Sequence, residues 1–428
     1  MDLVDTVDVA DIVDGKRAFC GAGLLAAVSI LLVGFIGCGK AAGPSVSAES
    51  FASPNLLVNR ARIEFVKSAV AANEPVLSTA YADLLRTADY LVQQSPNPIR
   101  GELKVPGFYT DERETQQRIV RQLRKDARIS NALALACAMS GEKAYGEKSR
   151  EFIFAWVDNL TRPVNGGHWW QQVKLARRGD TPLAIAYSFP AFMYAFDLLR
   201  GEGLVNESEV ERFRGWLRPF VEYHLPEELY KNNHHNWQVV FLMCAGHVLQ
   251  DADLFDRACR YYRHGLRGQI GADGRLPKEL GREEKSGTYI LMALEGMVQA
   301  VQIAEAHGVM LRDLKSKRGA TLEDAVNFYC GYLDDPVAWA RHTNSDKLNA
   351  PADRSDWGYI LELPYRWWRT PRYLGYMQKR PYGYDVERCY TMDFATLLFA
   401  KKLGTDYEFK SSCDNTLAKK NSWPVPGF

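Results

Sequence analysis

From residue 56 to the C-terminus the apolar residues recur at helical spacing, and clean apolar–polar alternation of strand length is scarce. This property limits the fold more than any other, because apolar faces that repeat every three to four residues are buried by packing helix on helix. "NALALACAMSG" and "KAYGEKSREFIFAWVDNL" predict two helices joined by a short turn at Gly141. "TPLAIAYSFPAFMYAFDLLRGEG" predicts a long apolar helix with a kink at Pro190. In "HNWQVVFLMCAGHVL", Trp237, Val240, Phe241, Cys244 and Val248 fall on one face. In "GTYILMALEGMVQAVQIAEAHG", Ile290, Leu294, Met297, Val301 and Ala304 do the same, and Gly308 stops the helix. No linker or composition shift interrupts residues 56–428, so they are read as one domain. Roughly 370 residues of antiparallel helix pairs are too many for one simple bundle core. The expected fold is all-α: an α/α toroid, or incomplete α/α barrel, built of antiparallel helical hairpins around a central cleft.

Of the 428 residues, 46% are hydrophobic and 25% charged, the balance of an ordinary globular protein. The formal net charge of +1 gives no global attraction to nucleic acid or acidic membranes, so an anionic ligand must be held by a local cluster of Lys and Arg. Residues 1–38 stand apart. Lys16-Arg17, an uncharged run from Ala18 to Gly37, and Cys38 in "GFIGCGK" read as an export signal ending in a lipoprotein cleavage box, with Cys38 as the lipidated residue. An uncleaved membrane anchor is the competing reading, since about 20 apolar residues span a bilayer. Plain cleavage without lipidation is a third reading; all three place the protein in the periplasm or on the cell surface, with any tie to the membrane through its N-terminus. The acidic stretch "MDLVDTVDVADIVDG" does not suit a signal, and a start nearer Val13 fits better. Residues 39–55, small and polar, are expected to form a flexible tether. Cys137 and Cys244 sit in apolar helical runs and read as buried thiols; Cys259, Cys330, Cys389 and Cys413 match no metal-ligand spacing.

"NNHHNW", residues 232–237, carries two of the eight histidines and runs directly into an apolar helix. Asn233 suits the N-cap of that helix, and a cap with polar surface would explain it without any function. His234 then falls in the first turn, where the positive helix end favours the neutral ring, and a neutral imidazole accepts a proton. The same end is a place for a carboxylate. A second stretch, "DGRLPKELGREEKSGTYI", leads into another helix and carries Arg282 and, seven positions on, Tyr289.

"NNH" followed about fifty positions later by Arg282 and Tyr289, with the upstream helical pair "RISNALALACAMSGEKAYGEKSREFIFAWV", resembles the alginate lyase family of α/α-toroid polysaccharide lyases, over residues 100–305. The resemblance departs at His235-Asn236-Trp237 and at "SGTYI", which leaves the uronate open between alginate and glucuronan. It implies β-elimination on an anionic uronic-acid polysaccharide. Asn233 and Arg282 would neutralise the C5 carboxylate and stabilise the enolate-like intermediate. Tyr289 would serve as acid and base where H5 and the C4 oxygen share a ring face, as in mannuronate and glucuronate. In guluronate His234 would be the base and Tyr289 the acid. A tyrosine starts from a pKa near 10, and Arg282 nearby would lower it. The chemistry requires no metal or other cofactor.

A polyanion also needs subsites. "HWWQQVKLARRGD" supplies Trp169 and Trp170 for stacking and Gln172, Lys174 and Arg178 for hydroxyls and carboxylates; "YRWWRTPRY" supplies Arg366. Tyr109, in the Gly-Pro loop "VPGFYTDERETQQ", is placed as a lid residue, and His235, about 100° round the helix from His234, as a packing or subsite residue. Core tryptophans with solvated arginines would account for these segments equally well. Two other classes compete. A toroidal glycoside hydrolase would use two opposed carboxylates from among Asp180, Asp273, Glu279 and Glu283, leaving Tyr289 without a task. A glycan-binding lipoprotein would bind without cleaving and ignore Tyr289→Phe.

Overall fold

The structure is a computed structural model that describes residues 46, 48–166, 179–225, 232–343, 355–377 and 391–400. Cys38, Trp169, Trp170, Gln172, Lys174, Arg178, Cys389 and Cys413 lie outside the described residues, as does the expected export signal.

The chain runs through α1 (Arg60–Ala71), α2 (Pro75–Leu91), β1 (Gly101–Leu103), α3 (Arg113–Ser140), α4 (Lys143–Asn159), β2 (Leu160–Pro163), α5 (Thr181–Gly201), α6 (Glu207–His224), α7 (Asn233–Leu249), α8 (Ala252–Gln269), α9 (Pro277–Leu280) and α10 (Ser286–Ala306). It continues through α11 (Leu322–Asp334), α12 (Pro336–Thr343), α13 (Glu362–Trp368), α14 (Pro371–Met377) and α15 (Ala395–Phe399). β1 and β2 form a short parallel pair. The predicted turn between α3 and α4 falls on Gly141, whose φ of 80° is a left-handed helix stop that glycine adopts without steric cost. α5 passes through Pro190 without a break.

Two layers form. α3, α5, α7 and α10 pack side by side as an inner layer, and α4, α6, α8 and α11 pack outside them. α10 then meets the 355–361 segment and α13, α13 meets α15, α15 meets α2, and α2 returns to α3, so the contacts close into a ring. This is the α/α toroid that the periodicity and the resemblance predicted.

The inner helices correct one expectation. α7 and α10 were expected to bury a single face, yet Val239, Leu242, Met243 and Ala245 are as buried as Val240 and Phe241. An inner helix has a neighbour on both flanks and an outer helix behind, so no side of it meets bulk water. The same position explains α5. It is the one described helix long and apolar enough to cross a membrane, and it lies inside the protein between α3 and α7.

The tether expected over 39–55 ends earlier than predicted. Residues 48–51 form a 3-10 turn, Phe51 is buried, and the backbone N–H groups of Asn55 and Leu56 donate to Asp197 Oδ2 at 2.8 and 3.0 Å. Cys137, Cys244, Cys259 and Cys330 are all buried free thiols.

Candidate active site

The inner helices point the same way, and hydrogen bonds at both ends show it. Near one end, the segment before α3 is bonded to the start of α5 and to the start of α10, and the start of α7 is bonded to Glu279 of α9, three residues before Arg282. At the other end Asp197 of α5 bonds His247 of α7, which bonds His307 at the close of α10. The N-termini of α5, α7 and α10 therefore gather at one end, where their exposed N–H groups and dipoles favour an anion.

The polar run at the start of α7 is explained residue by residue. Asn232, not Asn233, is the N-cap: its side chain accepts from His234 N–H at 3.1 Å. The helix begins one residue earlier than predicted, with Asn233 in its first turn and engaged elsewhere. Its backbone N–H donates to Glu279 Oε1 at 2.7 Å and its Nδ2 to Glu279 Oε2 at 3.0 Å. Asn236 exchanges two hydrogen bonds with Gln269, at 3.1 and 2.8 Å, and Trp237 Nε1 donates to the Met292 carbonyl at 3.0 Å. His235 is fully buried between α7 and α8, with Nε2–H donating to the Tyr261 carbonyl at 2.8 Å. A Cβ on Gly265 would lie 2.2 Å from that ring nitrogen, so only glycine fits there. His235 packs two helices together, and the subsite role is corrected accordingly.

His234 is the titratable side chain of this run that packing leaves for chemistry. Burial first, and then the Arg282 guanidinium, lower its pKa to about 4. The ring is neutral at physiological pH, as expected. The helix end was the cause assigned from sequence, whereas enclosure and a neighbouring cation account for the shift.

Arg282 and Tyr289 meet, and Tyr109 joins them. Arg282 Nη2 donates to the Tyr289 oxygen at 3.0 Å and to the Tyr109 oxygen, and the two phenol oxygens lie 2.8 Å apart. The guanidinium stands 4.2 Å from the centre of the Tyr289 ring, and Lys285 Nζ 5.6 Å from that of Tyr109. Tyr289 is 7% exposed and Tyr109 55%, so Tyr109 is the outer member of the pair. Its loop is sewn to the start of α5: Val105 N–H donates to Thr181 Oγ1 at 2.9 Å and Phe108 N–H to Asp180 Oδ2 at 2.9 Å. Burial pushes the Asp180 carboxyl up to about 6 against the hydrogen bonds from Phe108 and Gln116.

Arg366 is not brought to this cluster. It lies on α13 within electrostatic reach of Glu305 and Arg369. Glu305 is sixteen residues beyond Tyr289 on α10, about 24 Å along the helix axis. Three contributors escaped the sequence reading: Glu279 as partner of Asn233, Asp180 as anchor of the Tyr109 loop, and Lys285. The first two were visible only as unassigned acids, since no spacing rule ties Glu279 to a residue 46 positions away. Asp273, a third acid, is exposed and paired with Arg275. Among the described residues no three His, Cys, Asp or Glu side chains cluster as a metal site would need.

A toroid with Asn, His, Arg and Tyr gathered at its helix N-termini defines the class as that of the α/α-toroid polysaccharide lyases. Residues 73–339, which hold every site residue just described, match the alginate lyase family profile, and the chain belongs to that family. It is 28% identical over 134 residues to an alginate lyase of Pseudomonas syringae pv. tomato, covering 31% of this chain and 34% of that one. It is 36% identical over 127 residues to an alginate lyase of Cobetia marina, covering 28% and 33%. The chain thus spans about a third of the length of these two curated relatives. An alginate lyase structure from Bacteroides ovatus superimposes with a TM-score of 0.67 at 18% identity, over 82% of this chain and all of that one, which shows the shared fold.

Proposed function

We propose that the protein is a polysaccharide lyase that cleaves a 1,4-linked uronic acid polymer by β-elimination, leaving an unsaturated uronate end. The observation that carries this reading is the hydrogen-bonded set of Arg282, Tyr289 and Tyr109 beside the neutral His234. H5 of a uronate is very weakly acidic while its carboxylate is charged, so the carboxylate must first be neutralised. Arg282 and the Asn233 amide do this and hold the charge that develops on the carboxyl oxygens as H5 leaves. Tyr289, its phenolate stabilised by Arg282, takes H5 and then returns a proton to the departing C4 oxygen.

His234 bears on the choice of sugar. A ring whose conjugate acid sits at about 4 is a weak base, weaker than a phenolate. Removal of H5 by His234, which guluronate demands, is therefore disfavoured, and same-face elimination through Tyr289 is favoured. The proposed substrates are polymannuronate and glucuronan, with His234 acting as a neutral partner of the carboxylate.

The test is an ultraviolet absorbance screen of polymannuronate, polyguluronate, glucuronan and a glycosaminoglycan, read at the band of the conjugated C4=C5 uronate. Growth of that band on mannuronate or glucuronate polymers, lost in Tyr289→Phe and strongly reduced in His234→Ala, is expected. Release of reducing ends without the band would replace this reading with a hydrolase.

A further inference from the structure

Glu279 has no part in the mechanism above, yet it holds the residue meant to meet the substrate carboxylate. It is 2% exposed, and both of its oxygens accept from Asn233. With Nδ2 turned toward Glu279, the Asn233 Oδ1 is buried with no hydrogen-bond partner. A buried acceptor left unpaired is costly. In addition, an ionised Glu279 sets a second negative charge beside the place the uronate carboxylate must occupy, and like charges there oppose each other.

One proton relieves both faults. A protonated Glu279 becomes a donor. The Asn233 amide then turns by half a revolution, Oδ1 accepts from the carboxyl O–H, and Nδ2 moves with both hydrogens to the position Oδ1 now holds. Resting on the lyase reading, we propose that Glu279 is a positioning residue that binds a proton from solvent as the uronate carboxylate binds, turning the Asn233 amide so that its N–H groups face that carboxylate. The proton returns to solvent when the product leaves.

The surroundings fit such an exchange. Burial raises the Glu279 pKa to about 7 against the two Asn233 hydrogen bonds and the charges of Arg282 and Lys278. Glu279 lines a cavity of about 330 Å³ together with Arg267, Lys278, Lys317 and Arg318, all cations that favour the ionised form. His234, next to Asn233 in the chain, is neutral. The group is thus poised close to neutrality, and a substrate carboxylate tips it toward protonation. Affinity for the uronate should therefore fall as pH rises above about 7.

The experiment is titration calorimetry of Tyr289→Phe protein with a mannuronate tetrasaccharide at about pH 7.5, in two buffers of different ionisation enthalpy. Uptake approaching one proton per site is expected. Adding Glu279→Gln should abolish the uptake and flatten the pH dependence of the affinity, because a glutamine amide donates to Oδ1 at any pH. Binding without proton uptake in the parent protein would overturn the proposal, and this reading stands even where the glutamine variant fails to fold. Undiminished uptake in a folded Glu279→Gln would overturn it too, by assigning the proton elsewhere. If no uronate oligosaccharide binds at all, the lyase reading itself fails and takes this inference with it.

Discussion

At the scale of single residues, the account turns on two phenols and one guanidinium. Tyr289 receives a hydrogen bond from Arg282 and shares another with Tyr109. Tyr109→Phe removes one of the two partners that stabilise the phenolate. A hydrogen bond to a charged group is worth roughly 1.5–3 kcal/mol, so kcat should fall roughly ten- to a hundredfold. Steady-state kinetics on the polymer that proves active would read this, and an unchanged kcat would remove Tyr109 from the chemistry. Asn233, His234, Arg282 and Tyr289 were legible in the sequence because each pair is local and its spacing is fixed. Glu279 and Asp180 were legible only as acids, because their partners are set by the packing of α7 on α9 and of the 104–112 loop on α5. His235 and Arg366 carried the right chemistry for a subsite, but the ring buries one between helices and sends the other toward the opposite end of α10.

At the scale of elements, the first turn of α7 carries the site. Asn232 caps it by accepting from His234 N–H, so the cap orients the residue that faces the substrate. Asn232→Ala should lower stability by about 1 kcal/mol and lower activity as well, and Asn232→Ser should restore both. Thermal unfolding and initial rates measured on the same samples check this; a stability loss with full activity would separate the cap from the site. Helix positions were legible because the apolar spacing is strong over α3, α5, α7 and α10. The cap was placed one residue late because three asparagines compete within five positions, and only the Glu279 contact decides among them. Periodicity implied one buried face for α7 and α10, but it cannot register neighbours on every side.

At the scale of the molecule, the two ends of the ring have separate tasks. The N-terminal ends of the inner helices hold the candidate site. At the other end, Asp197 gathers Asn55 N–H, Leu56 N–H and His247 Nε2, pinning the N-terminal segment across α5 and α7. Burial alone would raise the Asp197 carboxyl, but the His247 charge and hydrogen bonds from His247, Ser53 and Asn55 hold it below the usual range. A depressed folded-state value means stabilisation present above the unfolded value, near pH 4, and lost as pH falls through the folded one. Asp197→Asn weakens an acceptor shared by three buried donors and should cost about 1–3 kcal/mol, while removing that acid dependence. Because α7 separates His247 of this cluster from His234 of the site by about 20 Å, kcat should be unchanged at temperatures where the variant stays folded. A melting curve and a rate measured side by side would show whether the two ends are independent.

The central claim is that Tyr289, held by Arg282, breaks a uronate chain by elimination. Mass spectrometry of the oligosaccharides released from polymannuronate or glucuronan tests it most directly. Wild-type protein should give fragments one water lighter than hydrolysis products, and Tyr289→Phe should give none. Fragments of saturated mass, or unsaturated fragments undiminished by Tyr289→Phe, would contradict the account.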